Sequence, residues 1–477
     1  MWLVSDHQLN ANRGDVVKQL PLQSWLSKRG TQFDRAYTVL PICSPSRASM
    51  LTGLYPHNHG LTENDGRFGG RGELDPSDQL FSNAFREDGY RCGWFGKWHL
   101  SHTQSARDFG FEGWSLGGYG YPYGTPEYAR YLRKTGLPDP VIEVELSGES
   151  LTPSGTRINL RDQSQWFDYE AGTAILNAPR ETHEAFFLAD MAADWVRSLN
   201  ADDRFFMRVD PWGPHPPYIV PKETAVDFDD VDAPVSANLT FDLRHRPDHH
   251  RGYRDAWKEA LPEEALDHQL LARRALGQAQ VIETALLGLV DTLGDLGVLD
   301  DTIIVFTADH GDAVGSNGGA LNKGGLMVEE TMSIPLYVAG PNIPAGQTIS
   351  DPVANIDLAP TLSQMCGVGF EQGDGESLVP LWNGEAPIRA GLMTEHYGLH
   401  EPLPQRAWYQ GKWKLIVQAD GFVELYDLAN DPTEMTNLAG VVIQQDRLKA
   451  MHRALVAEMD RTGDSDARVA GIRTAIS

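Results

Sequence analysis

Cysteine is scarce in this chain: Cys43, Cys92 and Cys366 are the only three in 477 residues. That is too few to build a disulfide framework at this length, and their spacing does not suit a zinc cluster. Long apolar runs are also missing. No stretch approaches the ~20 residues that a bilayer-spanning helix needs, so no membrane-spanning segment is expected. Positive charge is in the minority, with 40 Lys and Arg against 66 Asp and Glu, a formal charge of −26. Such acidity disfavours nucleic acid and anionic membranes as partners, and equally a long polyanion laid across the surface. It leaves room for a small anion entering a locally basic pocket. The opening Met1-Trp2-Leu3-Val4-Ser5-Asp6 has neither a basic start nor a small-residue cleavage site. A cytoplasmic location is therefore expected, or a periplasmic or secreted one if a signal has been removed.

What is present is an alternation of helical and strand patterns. Trp2-Leu3-Val4 reads as a short buried strand stopping at Ser5-Asp6-His7-Gln8. Thr302–Thr307 is rich in β-branched residues and stops at Ala308-Asp309-His310-Gly311, and Phe205–Asp210 stops at Pro211-Trp212-Gly213-Pro214-His215. Helical spacing of apolar residues precedes these strands, over Glu184–Leu199 and over Glu263–Leu296, where Gly297 suits a C-terminal cap. The pattern predicts an α/β fold with a large, mostly parallel sheet flanked by helices. Ligand sites in such sheets lie at the carboxyl ends of the strands, so Asp6, His215 and Asp309 are expected to converge. Past residue 380 the character changes. Lys412–Val417 and Phe422–Tyr426 read as a strand pair around Ala419-Asp420-Gly421, followed by a helix over Gln444–Met459. Two domains are therefore expected, a catalytic one over 1–380 and a smaller α+β subdomain over 381–477.

Two stretches read as irregular. Gly117–Thr125, rich in Gly and Tyr, is expected to be a surface loop. Asp227–Arg254, with His245, His249 and His250, is expected to be a solvated loop. Cys92, in a strand pattern, and Cys366, at the end of an apolar helix pattern, read as small core residues.

Cys43 stands apart. It opens Cys43-Ser44-Pro45-Ser46-Arg47, followed by Ala48-Ser49-Met50-Leu51-Thr52-Gly53 and then Tyr55-Pro56-His57. Further on come Gly96-Lys97-Trp98-His99-Leu100, Pro214-His215-Pro216-Pro217, Thr307-Ala308-Asp309-His310-Gly311-Asp312 and Leu321-Asn322-Lys323-Gly324. Lys97 and His99, two apart on a strand, are expected to point to the same face. Together these segments resemble the formylglycine-dependent sulfatases of the alkaline phosphatase superfamily. The tail Glu424–Asp431, Pro432, Glu434 and Asn437-Leu438-Ala439 is similar to the same family's C-terminal subdomain, so the likeness spans nearly the whole chain.

The resemblance implies a fold, a reaction and a residue set. Cys43 would be oxidised by a maturation enzyme to formylglycine, whose hydrate offers one hydroxyl to attack sulfur and a second whose deprotonation expels sulfate. Arg47 would stabilise the ionised diol. Lys97 would bind a sulfate oxygen, and His99 would act as base. His215 and Lys323 would protonate or neutralise the leaving oxygen, and Asn64 would offer its amide to the anion. Asp6, His7, Asp309 and His310 fall at the metal-ligand positions. The family commonly has a second carboxylate where His7 stands. Calcium is the expected ion, with manganese or magnesium as alternatives, and imidazole at position 7 would tilt preference toward manganese or zinc. Asn317 occupies a place where the family commonly has His, and no role is assigned to it.

The expected substrate is a small sulfate ester, a sulfated carbohydrate or an alkyl or aryl sulfate. Two other readings remain. One is a phosphonate monoester hydrolase or phosphodiesterase of the same superfamily; such relatives tend to carry Thr where Trp98 stands. The other is an inactive protein that only binds sulfated ligands, which the filled catalytic positions argue against. Residues 118–180 and 220–262 match no motif, and substrate choice is expected to lie there. The oligomeric state is not legible.

Overall fold

The computed structural model describes residues 20–146, 152–162, 172–229, 236–261, 267–371, 373–385, 387–398 and 401–476. The strand expected at Trp2–Val4, and with it Asp6 and His7, lies outside the described residues.

The first described element is the helix Pro21–Arg29, with proline where the missing N–H costs nothing. Its free N-terminal amides find a carboxylate. Glu283 accepts from the Leu22 and Gln23 N–H groups at 2.9 and 3.1 Å. Glu283 belongs to the long helix His268–Asp295, so one buried carboxylate joins two helices. Burial pushes its pKa up to about 7, against the hydrogen bonds from Gln23 and Leu22. Gly297, at φ 71, follows the long helix in the left-handed conformation that its C-terminal end requires.

The strand Gly30–Tyr37 then pairs antiparallel with Ser333–Ala339, which pairs antiparallel with Ile304–Thr307. Gln347–Ile349 and Val353–Ala354 add to its other edge in parallel. A second sheet is wholly parallel, with Arg91–Lys97 between Glu112–Leu116 and Phe205–Asp210. The helices Glu184–Arg197 and His268–Asp295 share a core with this sheet through Phe95, Ala185, Ala192, Trp195, Ile282 and Leu289. A third sheet orders Arg157–Asn159, Val141–Leu146, Thr173–Leu176 and Tyr218–Pro221. The α/β class read from the sequence is what the structure shows. Parallel pairing is complete in the second sheet and mixed in the first, where Ser333–Ala339 runs back against both long neighbours.

The expected strand Phe205–Asp210 is found with those bounds, whereas the later one begins at Ile304. The solvated loop expected over Asp227–Arg254 is corrected. A helix, Asp248–Ala260, starts within it and buries Trp257 among Leu271, Ala275 and Leu276. That packing carries His250 into the interior, where its Nδ1 lies 3.0 Å from the Asn317 amide nitrogen. Tyr123 of the supposed surface loop Gly117–Thr125 is also buried.

The C-terminal part is a four-stranded antiparallel meander, Leu392–Gly398, Pro402–Gln410, Trp413–Gln418 and Val423–Asp427. The helix Gln445–Thr462 lays Leu448, Met451, Leu455 and Met459 on it, and the same core takes in Tyr37, Val39 and Tyr55 from the segments on either side of Cys43. A buried polar clamp reinforces this contact. His57 pairs with Glu395, and Arg406 binds Asp464 at 2.7 and 3.1 Å and Tyr397 Oη at 2.9 Å. Burial alone would lower the His57 pKa; Glu395 and Asp464 outweigh it and raise it to about 9. Burial would likewise raise Glu395, but His57 and Arg406 hold it down at about 2.

The clamp has a definite pH window. The ordinary His57 value is 6.5 and the folded one about 9, so its contribution is full below 6.5 and is lost as pH rises through about 9. The Glu395 contribution is present above 4.5 and is lost as pH falls through about 2. Removing one partner of a buried pair typically costs on the order of 3 kcal/mol. The thermal unfolding midpoint of the parent should therefore drop between pH 6.5 and about 9.5. That of His57→Gln should start lower and stay flatter over the same range. Parallel curves for the two proteins would show that His57 is not the titrating clamp.

Candidate active site

Cys43 is the first residue of the helix Cys43–Thr52, every residue of which is buried. Gly53, at φ 68, ends the helix in the left-handed region. Two side chains pin the approach to it. Asn355 accepts from the Val39 N–H at 3.1 Å and donates to Ser46 Oγ at 2.9 Å. Asn64 accepts the Ser44 N–H at 3.0 Å through its side-chain oxygen. Asn64 therefore holds the start of the helix, a contact the sequence did not suggest for it.

Cys43 Sγ lies 3.1 Å from His310 Nε2. Burial would push this thiol up, but Lys323, Lys97 and His310 outweigh it and hold the pKa well below the ordinary range. The position thus favours negative charge, the condition for a nucleophilic oxygen or sulfur.

Arg47, one turn further along the helix, joins three strand ends. Its Nε donates to Asp309 Oδ2 at 3.0 Å, and its Nη1 donates to the Lys97 carbonyl at 2.9 Å and to Asp210 Oδ2 at 2.8 Å. Asp210 is held further by Arg208 Nη2 at 2.8 Å. Burial would raise the Asp309 pKa; the surrounding cations, Arg47 and Lys97 among them, keep it well below the usual carboxylate range. Asp210 was missed in the sequence, although an acidic strand end followed by Pro211 is the same signal that marked Asp309.

The strand Arg91–Lys97 ends at Lys97, and His99 has φ 54, so these two residues do not share a face of one extended strand. The left-handed turn brings the imidazole round instead, and the His99 carbonyl is fixed by Ser44 Oγ at 2.6 Å. Burial, Lys97 and Arg47 lower the His99 pKa to about 4 against the opposing pull of Cys43, leaving a neutral base at neutral pH. His215 sits in a loop between cis bonds before Pro214 and Pro217, and its Nδ1 lies 2.7 Å from the Pro216 carbonyl. Burial, then Lys323 and Lys97, hold its pKa well below 6.5. The buried Lys323 Nζ donates to Asn322 Oδ1 at 2.7 Å. Asp312, also buried, is raised by burial against the pull of Lys323.

The structure thus brings Cys43, Arg47, Lys97, His99, His215, Asp309, His310 and Lys323 into one electrostatic neighbourhood. It adds Asp210, Asp312 and Tyr119, which the sequence reading did not select. Cys43, Asp309 and His310 each offer a ligand atom within 4.8 Å of the other two. A hard carboxylate beside an imidazole fits a divalent cation.

The Sulfatase family model matches residues 4–368. The chain belongs to the sulfatase family. It is a sulfuric ester hydrolase with the alkaline phosphatase-like fold. A second family model, N-sulphoglucosamine sulphohydrolase C-terminal, matches residues 320–461 of this sulfatase. Among curated relatives, the uncharacterized sulfatase YidJ of Escherichia coli K12 is 26% identical over 460 residues, 92% of this chain and 82% of that one. The choline-sulfatase of Rhizobium meliloti is 26% identical over 430 residues, 87% of this chain and 76% of that one. Among solved structures, BT4656 in complex with its substrate D-glucosamine-2-N,6-O-disulfate superposes with a TM-score of 0.74 at 22% identity, covering 98% of this chain and 97% of that one. The phosphonate monoester hydrolase of Agrobacterium radiobacter superposes at 0.71 with 21% identity, covering 93% and 91%.

In this sulfatase Arg47 is irreplaceable by lysine on geometric grounds, because an ammonium cannot present the planar fork that reaches Asp309, Asp210 and the Lys97 carbonyl together. Arg47→Lys should lower kcat/KM by about two orders of magnitude or more. Retention of more than a tenth of the parent rate, measured with any chromogenic ester that the parent turns over, would contradict the bridging role.

Proposed function

We propose that the chain hydrolyses a small sulfated carbohydrate or another alkyl or aryl sulfate ester, with formylglycine made from Cys43 as nucleophile and one divalent cation, calcium foremost. The observation that carries this reading is the Cys43 environment. A buried side chain at a helix start faces His310 and is stabilised as an anion by Lys97 and Lys323. Conversion to formylglycine is a two-electron oxidation of Cβ with loss of the sulfur, and the proposal assigns it to a separate maturation enzyme.

A geminal diol at position 43 would supply a nucleophilic oxygen and a second hydroxyl. Asp309 and His310 are the described residues that would hold the cation, which would polarise the sulfate oxygens and favour ionisation of the nucleophile. The chain's own side chains do the rest. Lys97 and Lys323 neutralise the sulfate oxygens in a buried setting, where the low dielectric strengthens each contact. As the sulfur–oxygen bond to the alcohol breaks, the departing oxygen takes its proton from Lys323, with the neutral His215 beside it. His99, neutral in this setting, then accepts the proton of the remaining hydroxyl as sulfate departs and the carbonyl reforms. Arg47 keeps Asp309 ionised and in place throughout.

The acidic exterior and the basic interior together support a small substrate. With a net charge of −26 an extended polyanion would meet repulsion at many points, whereas a single sulfate reaches the cations locally. The named substrate of BT4656, a disulfated glucosamine, is of this size class. The second reading, a phosphonate monoester hydrolase, draws on the comparable superposition with the Agrobacterium enzyme. Trp98 weighs against it, although its ring sits in a buried cluster with Trp94, Phe109 and Phe111.

Cys43→Ala should abolish turnover in protein from a host with maturation machinery while leaving the unfolding midpoint near that of the parent. Undiminished sulfate release from the purified variant would end the formylglycine reading. Comparing the parent on an aryl sulfate and an aryl phosphodiester separates the two reactions, and a faster phosphodiester rate would favour the second.

Lys323→Ala gives a finer test of the acid. An alcohol leaving group needs protonation far more than a nitrophenolate does, so an alkyl or sugar sulfate should lose at least about tenfold more rate than nitrophenyl sulfate. Equal losses on the two substrates would remove Lys323 from that role.

A further inference from the structure

The loop Gly117–Thr125 matches none of the motifs above, yet it reaches the centre of the site. It follows Glu112–Leu116, the edge strand of the parallel sheet, beside which run first the strand ending at Lys97 and then the strand ending at Asp210. The Tyr119 ring meets groups at or just past the ends of both. Lys97 Nζ lies 4.4 Å from the ring centroid. The His99 ring stands edge-on at 5.0 Å, and the His215 ring is tilted at 5.4 Å.

The loop is secured at several points. Gly118 N–H donates to the Ser101 carbonyl at 2.8 Å, and Tyr121 packs on Trp212 at 5.9 Å. Tyr123 Oη accepts the Glu184 N–H at 3.3 Å, while Glu184 Oε1 accepts the N–H groups of Trp212 and Gly213 at 3.1 and 3.2 Å. The Tyr loop and the His215 loop are thus one packed unit.

We propose that Tyr119 is a positioning residue of the anion site, a single aromatic wall that holds Lys97, His99 and His215 in one register. Its ring face attracts the Lys97 ammonium electrostatically, in a setting where burial works against that charge. Its edges limit the rotation of the two imidazoles that serve opposite ends of the reaction, one at the leaving oxygen and one at the returning carbonyl. The proposal rests on the sulfatase reading of those three groups.

The test compares Tyr119→Phe, which keeps the ring, with Tyr119→Leu, which keeps an apolar side chain and loses the ring face. Binding of inorganic sulfate to calcium-loaded protein is followed by calorimetry, turnover of nitrophenyl sulfate and of an alkyl sulfate by kinetics, and folding by the unfolding midpoint. The phenylalanine variant should match the parent within about twofold in sulfate affinity and in both rates. The leucine variant should bind sulfate about tenfold more weakly, as expected for loss of a partly buried cation–π contact. It should also lose more rate on the alkyl sulfate than on the nitrophenyl ester, because His215 is no longer held. If the leucine variant fails to fold, Tyr119→Met carries the same comparison. Unchanged sulfate affinity with equal losses on both esters would overturn the proposal, as would equal losses in the phenylalanine and leucine variants. A parent that binds sulfate but hydrolyses only phosphodiesters would sink the reaction assigned above. The affinity comparison would still decide the role of Tyr119.

Discussion

One buried guanidinium organises this molecule. Arg47 stands on the helix that starts with Cys43 and donates to groups at the ends of three strands drawn from two sheets: Asp309, Asp210 and the Lys97 carbonyl. Two carboxylates this close would repel each other and resist ionisation in a dry interior. Arg47 stands between them, and Arg208 meets it at the same Asp210 oxygen, so two guanidiniums face the pair of carboxylates. Asp309 is thereby kept as an ionised oxygen donor beside His310, and the same contact fixes the helix whose first residue must face that donor. The placement of Cys43 and of Asp309, the proposed nucleophile and metal ligand, depends on one fork of hydrogen bonds.

Around that fork the charges are distributed against the character of the chain. The protein as a whole is strongly acidic, yet Arg47, Lys97 and Lys323 are gathered at one buried point. Burial disfavours each of them, and the histidines answer by staying neutral: His99 and His215 both titrate low. The result is a buried group of cations with two neutral imidazoles beside it, a setting that suits the single negative charge of the proposed sulfate ester. A surface patch of lysines would attract anions of any length; a buried cluster inside an acidic shell selects for those that can enter.

Much of this was legible in the sequence, and the exceptions have physical causes. The strand tip at Asp309 announces itself by a β-branched run that ends at a carboxylate, and the Cys43–Gly53 segment carries its own signature; Asp210, at a similar strand end, was passed over. Lys97 and His99 do come together near Cys43, but not by sharing one face of a strand. The strand stops, and a positive φ at His99, which no pattern rule anticipates for histidine, turns the ring into the site. The stretch Asp227–Arg254 was read as solvated because its histidines and charges mask the start of a helix whose apolar face is Tyr253 and Trp257. The Gly117–Thr125 loop was read as surface because glycine marks irregular backbone. Glycine says nothing about where the tyrosines between them go, and here Tyr119 and Tyr123 turn inward onto His99, His215 and Tyr128.

The C-terminal meander completes the site although it supplies none of the residues singled out for chemistry. Gln405 donates to the Gly325 carbonyl at 3.1 Å, two residues past Lys323. His396 packs near Gly325, and a further link runs through Lys414, fully buried between Glu329 and Glu434 at 2.9 and 2.8 Å. The segment 323–332 that presents Lys323 is therefore bordered by strands from the end of the chain. The two family matches overlap over residues 320–368, and Lys323 lies inside that overlap. In the proposed reaction Lys323 must hold its place while the alcohol departs. A backbone carbonyl gripped from a second sheet, together with a buried ion pair six residues on, gives the loop a rigidity its own glycines would deny it.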